Sequence, residues 1–258
     1  MKVFTTEITS DIIASDNPIH QRLLMPYHFV KEYIHGDLIE PGCGEGRGIP
    51  VISSKINTYL GLDKNDTVID NLKKKFPECR FLSMQFPPIA NIENNSFDSC
   101  ISFQVIEHIR DDQSFIKDIY RVLRPGGVAI ITTPNRKMSL TRNPWHIREY
   151  LHDDLYKLVS RIFPEIEMLG ITGNKRVMQY YEENKRSVRK ITRYDILNLQ
   201  YRLPASLLRI PYELMNRLNR NRLKDKNSGL VDNIIHSDYI ITQNLEESLD
   251  LMCIMHKK

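Results

Sequence analysis

The sequence predicts an α/β protein, a parallel sheet with helices on both faces. Two observations carry this. Between residues 37 and 134, short apolar, β-branched segments alternate with segments of helical periodicity, the pattern of strands joined by crossover helices. A glycine run, DLIEPGCGEGRG at residues 37–48, follows the first strand-like segment directly, at the strand end where such sheets bind ligands.

The elements follow in order. Apolar residues at helical spacing from Ile19 to Ile34 predict a helix. DLIE reads as a short buried strand ending at Glu40, and a helix is expected to start near Glu45. TYLGLD is a second strand closed by Asp63. TVIDNLKKKF is helical, CRFLSM is a third strand, and FDSCISF is a fourth, nearly continuous in its apolarity. DDQSFIKDIYRVL is an amphipathic helix with an acidic first turn, RPGG a turn, and GVAIITTP a fifth strand. These apolar strands suit a sheet covered on both sides. Beyond Pro134 a polar, turn-rich segment carries an aromatic cluster, then a helix resumes over 152–162. EIEMLGITG is a sixth strand and SLDLMCIMHKK a seventh. About 70 residues between these two have no place in the alternation, so the chain divides into a core, 1–173 with 244–258, and a basic, mostly helical insertion, 174–243.

Composition sets limits. The chain has 258 residues, 41% hydrophobic and 26% charged, values that exclude wholesale disorder. No apolar run is long enough for a spanning helix, and the first residues lack a leader's apolar stretch. Cys43, Cys79, Cys100 and Cys253 form no CxxC pair and read as reduced thiols in a cytoplasmic protein.

The glycines at 42, 44 and 46 read GxGxG. The dinucleotide fingerprint needs GxGxxG, and its third position falls on Arg47 or Ile49 in the two possible frames. A phosphate-binding P-loop would need Gly-Lys-Ser/Thr, which is absent. Asp63, at the end of the second strand, is placed to accept hydrogen bonds from both hydroxyls of a ribose.

Four stretches together carry a resemblance: IEPGCGEG, YLGLD, NSFDSCISFQVIEHI and LRPGGVAIITTPN. In that order they resemble the class I S-adenosylmethionine-dependent methyltransferases, in the broad group that includes ubiquinone-biosynthesis-type O-methyltransferases. The resemblance runs from about Gln21 to Gly173 and resumes at the last strand. It implies a Rossmann-like sheet of seven strands, the last antiparallel, and S-adenosylmethionine as cofactor. It also implies roles. Gly42, Gly44 and Gly46 let the backbone approach the cofactor, and Glu40 orders their loop and meets the cofactor's amino group through water. Asp63 holds the ribose, Met84 and Gln85 flank the adenine, and Gln104 lines the methionine end. Family members often carry Asp near positions 84 and 85, where this chain offers the amide of Gln85.

The expected function is methyl transfer to a small-molecule or lipid-linked acceptor, at oxygen. The rivals are a non-catalytic protein that keeps the cofactor fold as a scaffold and a nicotinamide-dependent oxidoreductase. His108 and His146 are the candidates for a base or an acceptor contact, since an ordinary imidazole titrates near neutrality. Glu107 beside His108 has no further clustered ligand in sequence, so no metal is expected. Trp145 and Tyr150 are candidate walls for the acceptor. The basic character is local: residues 174–226 hold 14 Lys+Arg against 5 Asp+Glu. There Leu207, Leu208, Pro211, Leu214, Met215 and Leu218 recur at steps of three and four, a shared helical face. This segment reads as a cap over the acceptor site, as a peripheral membrane contact through 204–222, or as a site for an anionic partner. It carries no nucleic-acid-binding signature.

Overall fold

The structure, a computed structural model, describes residues 13–195 and 197–258. The expectation that the chain starts without a leader falls mainly on residues outside that range. The elements run α1 (Asn17–Val30), β1 (Asp37–Pro41), α2 (Ile49–Ile52), β2 (Thr58–Asp63), α3 (Asp66–Lys75), β3 (Arg80–Ser83), β4 (Phe97–Phe103), α4 (Asp112–Val122) and β5 (Leu123–Pro134). They continue with α5 (His152–Val159), β6 (Glu165–Gly173), α6 (Lys175–Thr192), α7 (Leu199–Arg202), α8 (Ala205–Lys226), α9 (Ser228–Asp232), β7 (Tyr239–Thr242) and β8 (Asp250–His256).

The sheet order is β3-β2-β1-β4-β5-β8-β6-β7. Strands β1 to β5 pair in parallel, and β8 runs antiparallel between β5 and β6. The chain steps outward from β1 to β3 and returns beside β1 as β4, so the switch in strand order lies between β1 and β4. That crevice is where an open α/β sheet binds ligands. One apolar core lies on each face of the sheet. Tyr27, Val30, Ile52 and Leu72 belong to the first and Phe115, Ile119, Leu155 and Val159 to the second.

Local chemistry sets the helices. Asn65 caps α3 through the Val68 N–H, and Lys73, Lys74 and Lys75 sit at its C-terminal end, where the helix dipole favours cations. Asp111 caps α4, which buries Phe115, Ile116, Ile119 and Val122 as one stripe. Burying each such side chain is worth about 1.5–3 kcal/mol.

Four expectations change. The sheet has eight strands, because Tyr239–Thr242 pairs antiparallel with the free edge of β6. The apolar four-residue stretch YIIT is too short to announce itself by alternation. The helical insertion therefore ends at Asp232, and residues 239–242 belong to the core sheet. The helix expected near Glu45 begins at Ile49 instead, because the glycine loop continues through Gly48. RPGG is absorbed into β5 as an irregularity in its pairing with β4, where the register shifts between Phe97 and Ser99. All four cysteines are free thiols, three of them buried.

Candidate active site

Gly42, Gly44 and Gly46 have φ values of +83°, +51° and +69°, the left-handed region that glycine enters without a steric penalty. Their surroundings differ. A Cβ on Gly42 would lie 2.3 Å from a Val105 methyl, and one on Gly46 would lie 2.7 Å from Leu72. A Cβ on Gly44 would meet nothing within 4 Å. The fourth glycine, Gly48, lies under the Tyr27 ring, 1.9 Å from where its Cβ would stand. A side chain at three of the four would thus strike neighbouring protein, whereas at Gly44 it would enter open space.

A cavity of about 390 Å³ occupies that crevice, lined among others by Gly42, Gly44, Asp63, Met84, Gln85 and Gln104. The Asp63 carboxylate accepts from the N–H of Gly44 at 3.1 Å and of Asn65 at 3.0 Å. A carboxylate has about four lone-pair positions, so acceptor capacity remains for a diol. Met84 is fixed by its N–H to the Asp63 carbonyl at 2.8 Å. Volume, bare backbone and rim carboxylate together fit a nucleoside-sized cofactor.

Glu40 is placed differently from the expectation. It is buried, and its two carboxylate oxygens accept from the hydroxyls of Tyr27 and Tyr59, each at 2.5 Å. It does not line the cavity, and Gly46 does not either. Burial pushes Glu40 up to about 7, against the opposing pull of the two hydroxyls. The native state therefore keeps this proton up to about pH 7, while the unfolded chain releases it near 4.5. Stability from this group is complete at low pH and is lost as pH rises to about 7. Glu107 has the same shift. Glu40→Gln should remove about half of the fall in melting temperature that the two carboxyls cause between about pH 5 and 8. Identical pH slopes for variant and wild type would show that Glu40 is not a buried neutral acid.

A second chamber, of about 280 Å³, adjoins the cavity and shares Gln104 and His108 with it. Gln104 directly follows β4 at φ +56°, unusual for a residue with a side chain. Its amide donates to Asp250 at 3.2 Å and more loosely to Thr132 at 3.4 Å. Arg22 of α1 grips the buried Asp250 from the other side with two hydrogen bonds, at 2.6 and 2.5 Å. Glu107 is buried, lines the chamber, and accepts from the Thr133 hydroxyl at 2.9 Å. Burial pushes its carboxyl up to about 7, with His146 pulling the other way.

The structure brings His108 and His146 together, rings edge to face at 5.0 Å. His108 Nδ1 lies 3.0 Å from the Trp145 carbonyl. A carbonyl only accepts, so Nδ1 carries the proton and Nε2 is the basic nitrogen. Burial and the neighbouring His146 lower His108 to about 4, so it is neutral at physiological pH. His146 donates from Nδ1 to Glu149 at 2.7 Å, and the Asn143 amide nitrogen lies 2.8 Å from Nε2. Glu107, His108 and His146 each offer a ligand atom, all within 4.8 Å of one another, a set able to hold a divalent cation.

The aromatic pair separates. Trp145 walls the cofactor cavity, donates from its indole to Glu213 at 2.9 Å and carries Arg209 over its ring at 4.1 Å, which ties the 143–146 segment to α8. Tyr150 lines neither space. It is buried in the core with its hydroxyl on Asp112 at 2.8 Å, because the chain turns inward there to start α5. Arg22, Glu107 and Asp250 are site residues that the sequence left unassigned. Arg22 and Asp250 lie 228 positions apart, and no local signal joins them. Glu107 was legible only as a neighbour of His108.

The fold and the two joined spaces define an α/β protein with a nucleoside-sized cavity at the switch in strand order and a second chamber beside it. A methyltransferase domain family matches residues 39–131. A probable S-adenosylmethionine-dependent methyltransferase of Mycolicibacterium smegmatis is 32% identical over 176 residues, 65% of this chain and 67% of that protein. One of Mycobacterium tuberculosis is 31% identical over 147 residues, 55% of this chain and 53% of its own length, so the chain spans about half of that relative. Among solved structures, an S-adenosylmethionine-dependent methyltransferase from Thermotoga maritima superposes with a TM-score of 0.58, at 15% identity over 93% of this chain and 92% of that one; this likeness shows the fold. The chain belongs to the class I S-adenosylmethionine-dependent methyltransferase family, and its cofactor is S-adenosylmethionine.

Proposed function

We propose that this protein transfers the methyl group of S-adenosylmethionine to a hydroxyl of a polar acceptor held in the second chamber. The observation that carries this is the meeting of the two spaces at Gln104 and His108, with the buried Glu107 carboxyl on the chamber side. The cofactor supplies a sulfonium methyl with a good neutral leaving group. The chain's own task is positioning, worth up to about 7–11 kcal/mol in favourable cases, and removal of the acceptor's proton. Asp63 and the Gly44 backbone hold the ribose end. Arg22 and Asp250 fix Gln104 at the seam. Glu107, oriented by Thr133, accepts the hydroxyl proton, and His108, pinned through Nδ1, walls the seam as a neutral ring. Chamber groups such as Asn135, Tyr180, Asn184 and Asn219 suit an acceptor with several hydroxyls. The scaffold rival would have no use for a second chamber joined to the cofactor cavity at Gln104 and His108.

The test is calorimetric titration with S-adenosylmethionine and S-adenosylhomocysteine. Both should bind, and Asp63→Ala should weaken them about 10- to 100-fold, the loss of hydrogen bonds to a charged group worth about 1.5–3 kcal/mol. No binding at millimolar ligand would overturn the assignment. A second reading rests on the Glu107, His108 and His146 triangle: a divalent ion there would bind and activate the acceptor hydroxyl directly. Metal analysis of the purified protein, and transfer assayed with and without chelator, separates the two.

A further inference from the structure

Of the fifteen exposed large hydrophobic side chains among the described residues, ten lie between Ile191 and Leu218. Concentration of this kind marks an interaction surface. Its centre is the outer face of α8. Leu207, Ile210, Leu214 and Leu218, at spacings of three and four, are 62%, 81%, 60% and 56% exposed and form one stripe. The expected shared face of α8 is therefore split. Leu208, Pro211 and Met215 turn instead toward α6, where they line an apolar groove with Val188 and Thr192. Tyr194 and Tyr201, in the segment just before α8, are exposed as well, and such amphipathic rings suit a membrane–water boundary.

Within 191–218 the exposed charge is one-sided. Arg193, Arg202 and Arg209 are exposed. The acids of the same stretch are engaged: Asp195 accepts from the Leu199 and Gln200 N–H groups, and Glu213 accepts from Trp145. A second copy of this basic face would repel the first across a two-fold axis, whereas an anionic surface complements it. An apolar stripe with arginines and exposed tyrosines close by in the chain is the composition of a helix that lies in a bilayer interface.

We propose that the 191–218 surface docks on an anionic lipid bilayer and that the acceptor is an amphipath drawn from it. The groove between α6 and α8 has a volume of about 180 Å³ and shares Val188, Tyr212, Asn216 and Asn219 with the acceptor chamber. A polar head in the chamber and a hydrocarbon tail in the groove would bridge the reacting site and the membrane face. This names the acceptor class for the methyl-transfer reading and rests on it.

The test is flotation of the full chain with vesicles of phosphatidylcholine alone and of equal parts phosphatidylcholine and phosphatidylglycerol. The protein should float with the anionic vesicles and not with the neutral ones, and release as salt rises toward about 1 M, where charge attraction is screened within about 3 Å. The double variant Ile210→Glu, Leu214→Glu should lose at least about tenfold in vesicle partitioning, since it replaces two apolar side chains at the centre of the stripe by charges that the interface excludes. Its S-adenosylmethionine titration should match the wild type, which reports an intact fold and separates failure of docking from failure of the cofactor assignment. Wild type that stays behind with anionic vesicles, or a variant that floats equally well, overturns the proposal. So does a concentration-dependent dimer that the double variant abolishes, which would make a second copy the occupant.

Discussion

Glu107→Gln should lower methyl transfer by about 10²- to 10⁴-fold, the range for loss of a positioned general base, while cofactor binding stays within a few-fold of wild type. The amide keeps the shape and can still meet the Thr133 hydroxyl, but it cannot take a proton. The wild-type rate should rise with pH through about 7, where the buried carboxyl ionises, and His108, lowered to about 4, should add no step above pH 6. Single-turnover rates with bound cofactor, measured across pH, check both. A variant as fast as wild type would remove Glu107 from the chemistry. A chelator-sensitive rate whose midpoint lies well below 7 would favour the ion-bound reading, because a cation holds a carboxylate in its charged form.

Two neighbouring glycines should fail in opposite ways. Gly42→Ala places a methyl 2.3 Å from Val105 in a left-handed backbone, combining overpacking of about 1–3 kcal/mol with about 1–2 kcal/mol for the conformation. That is a large part of a domain's stability of about 5–15 kcal/mol, so its melting temperature should fall by several degrees. Gly44→Ala meets nothing and bears only the conformational cost, yet its methyl stands where the cofactor approaches. Its melting temperature should fall less, and its S-adenosylmethionine affinity should fall at least about tenfold, a difference of about 1.4 kcal/mol. Thermal melts and titrations of both variants check the contrast. Equal stability losses with unchanged affinity would mean that the cofactor does not lie against Gly44.

The cofactor half of the site was legible in the sequence because it is local in each strand. A glycine loop after β1, an acid ending β2 and Gln104 just past β4 are each fixed by a single strand–loop junction, and a parallel sheet lines such junctions up along one edge. The second chamber depends on distant partners. Arg22 meets Asp250 across nearly the whole chain, and Asn219 of α8 donates to Asn184 of α6 at 2.7 Å. Periodicity can propose a helix face but cannot say which neighbour covers it. That is why Leu208 and Met215 found the groove while Leu207 and Leu214 remained exposed. Glu40 shows a further limit. Its position after β1 was readable, but the two tyrosines that enclose it come from α1 and β2.

The central place of β8 has a consequence for the order of assembly. It is synthesised after every other strand, yet it separates β5 from β6 in the finished sheet. While the chain emerges, β1 to β5 can assemble with α3 and α4, and the cofactor cradle with them. β6 and β7 can pair with each other but have no strand through which to join the rest. Insertion of β8 brings Asp250 under Gln104 and Arg22 and joins the two blocks by pairing with β5 on one edge and β6 on the other, a non-local closure of the slow kind.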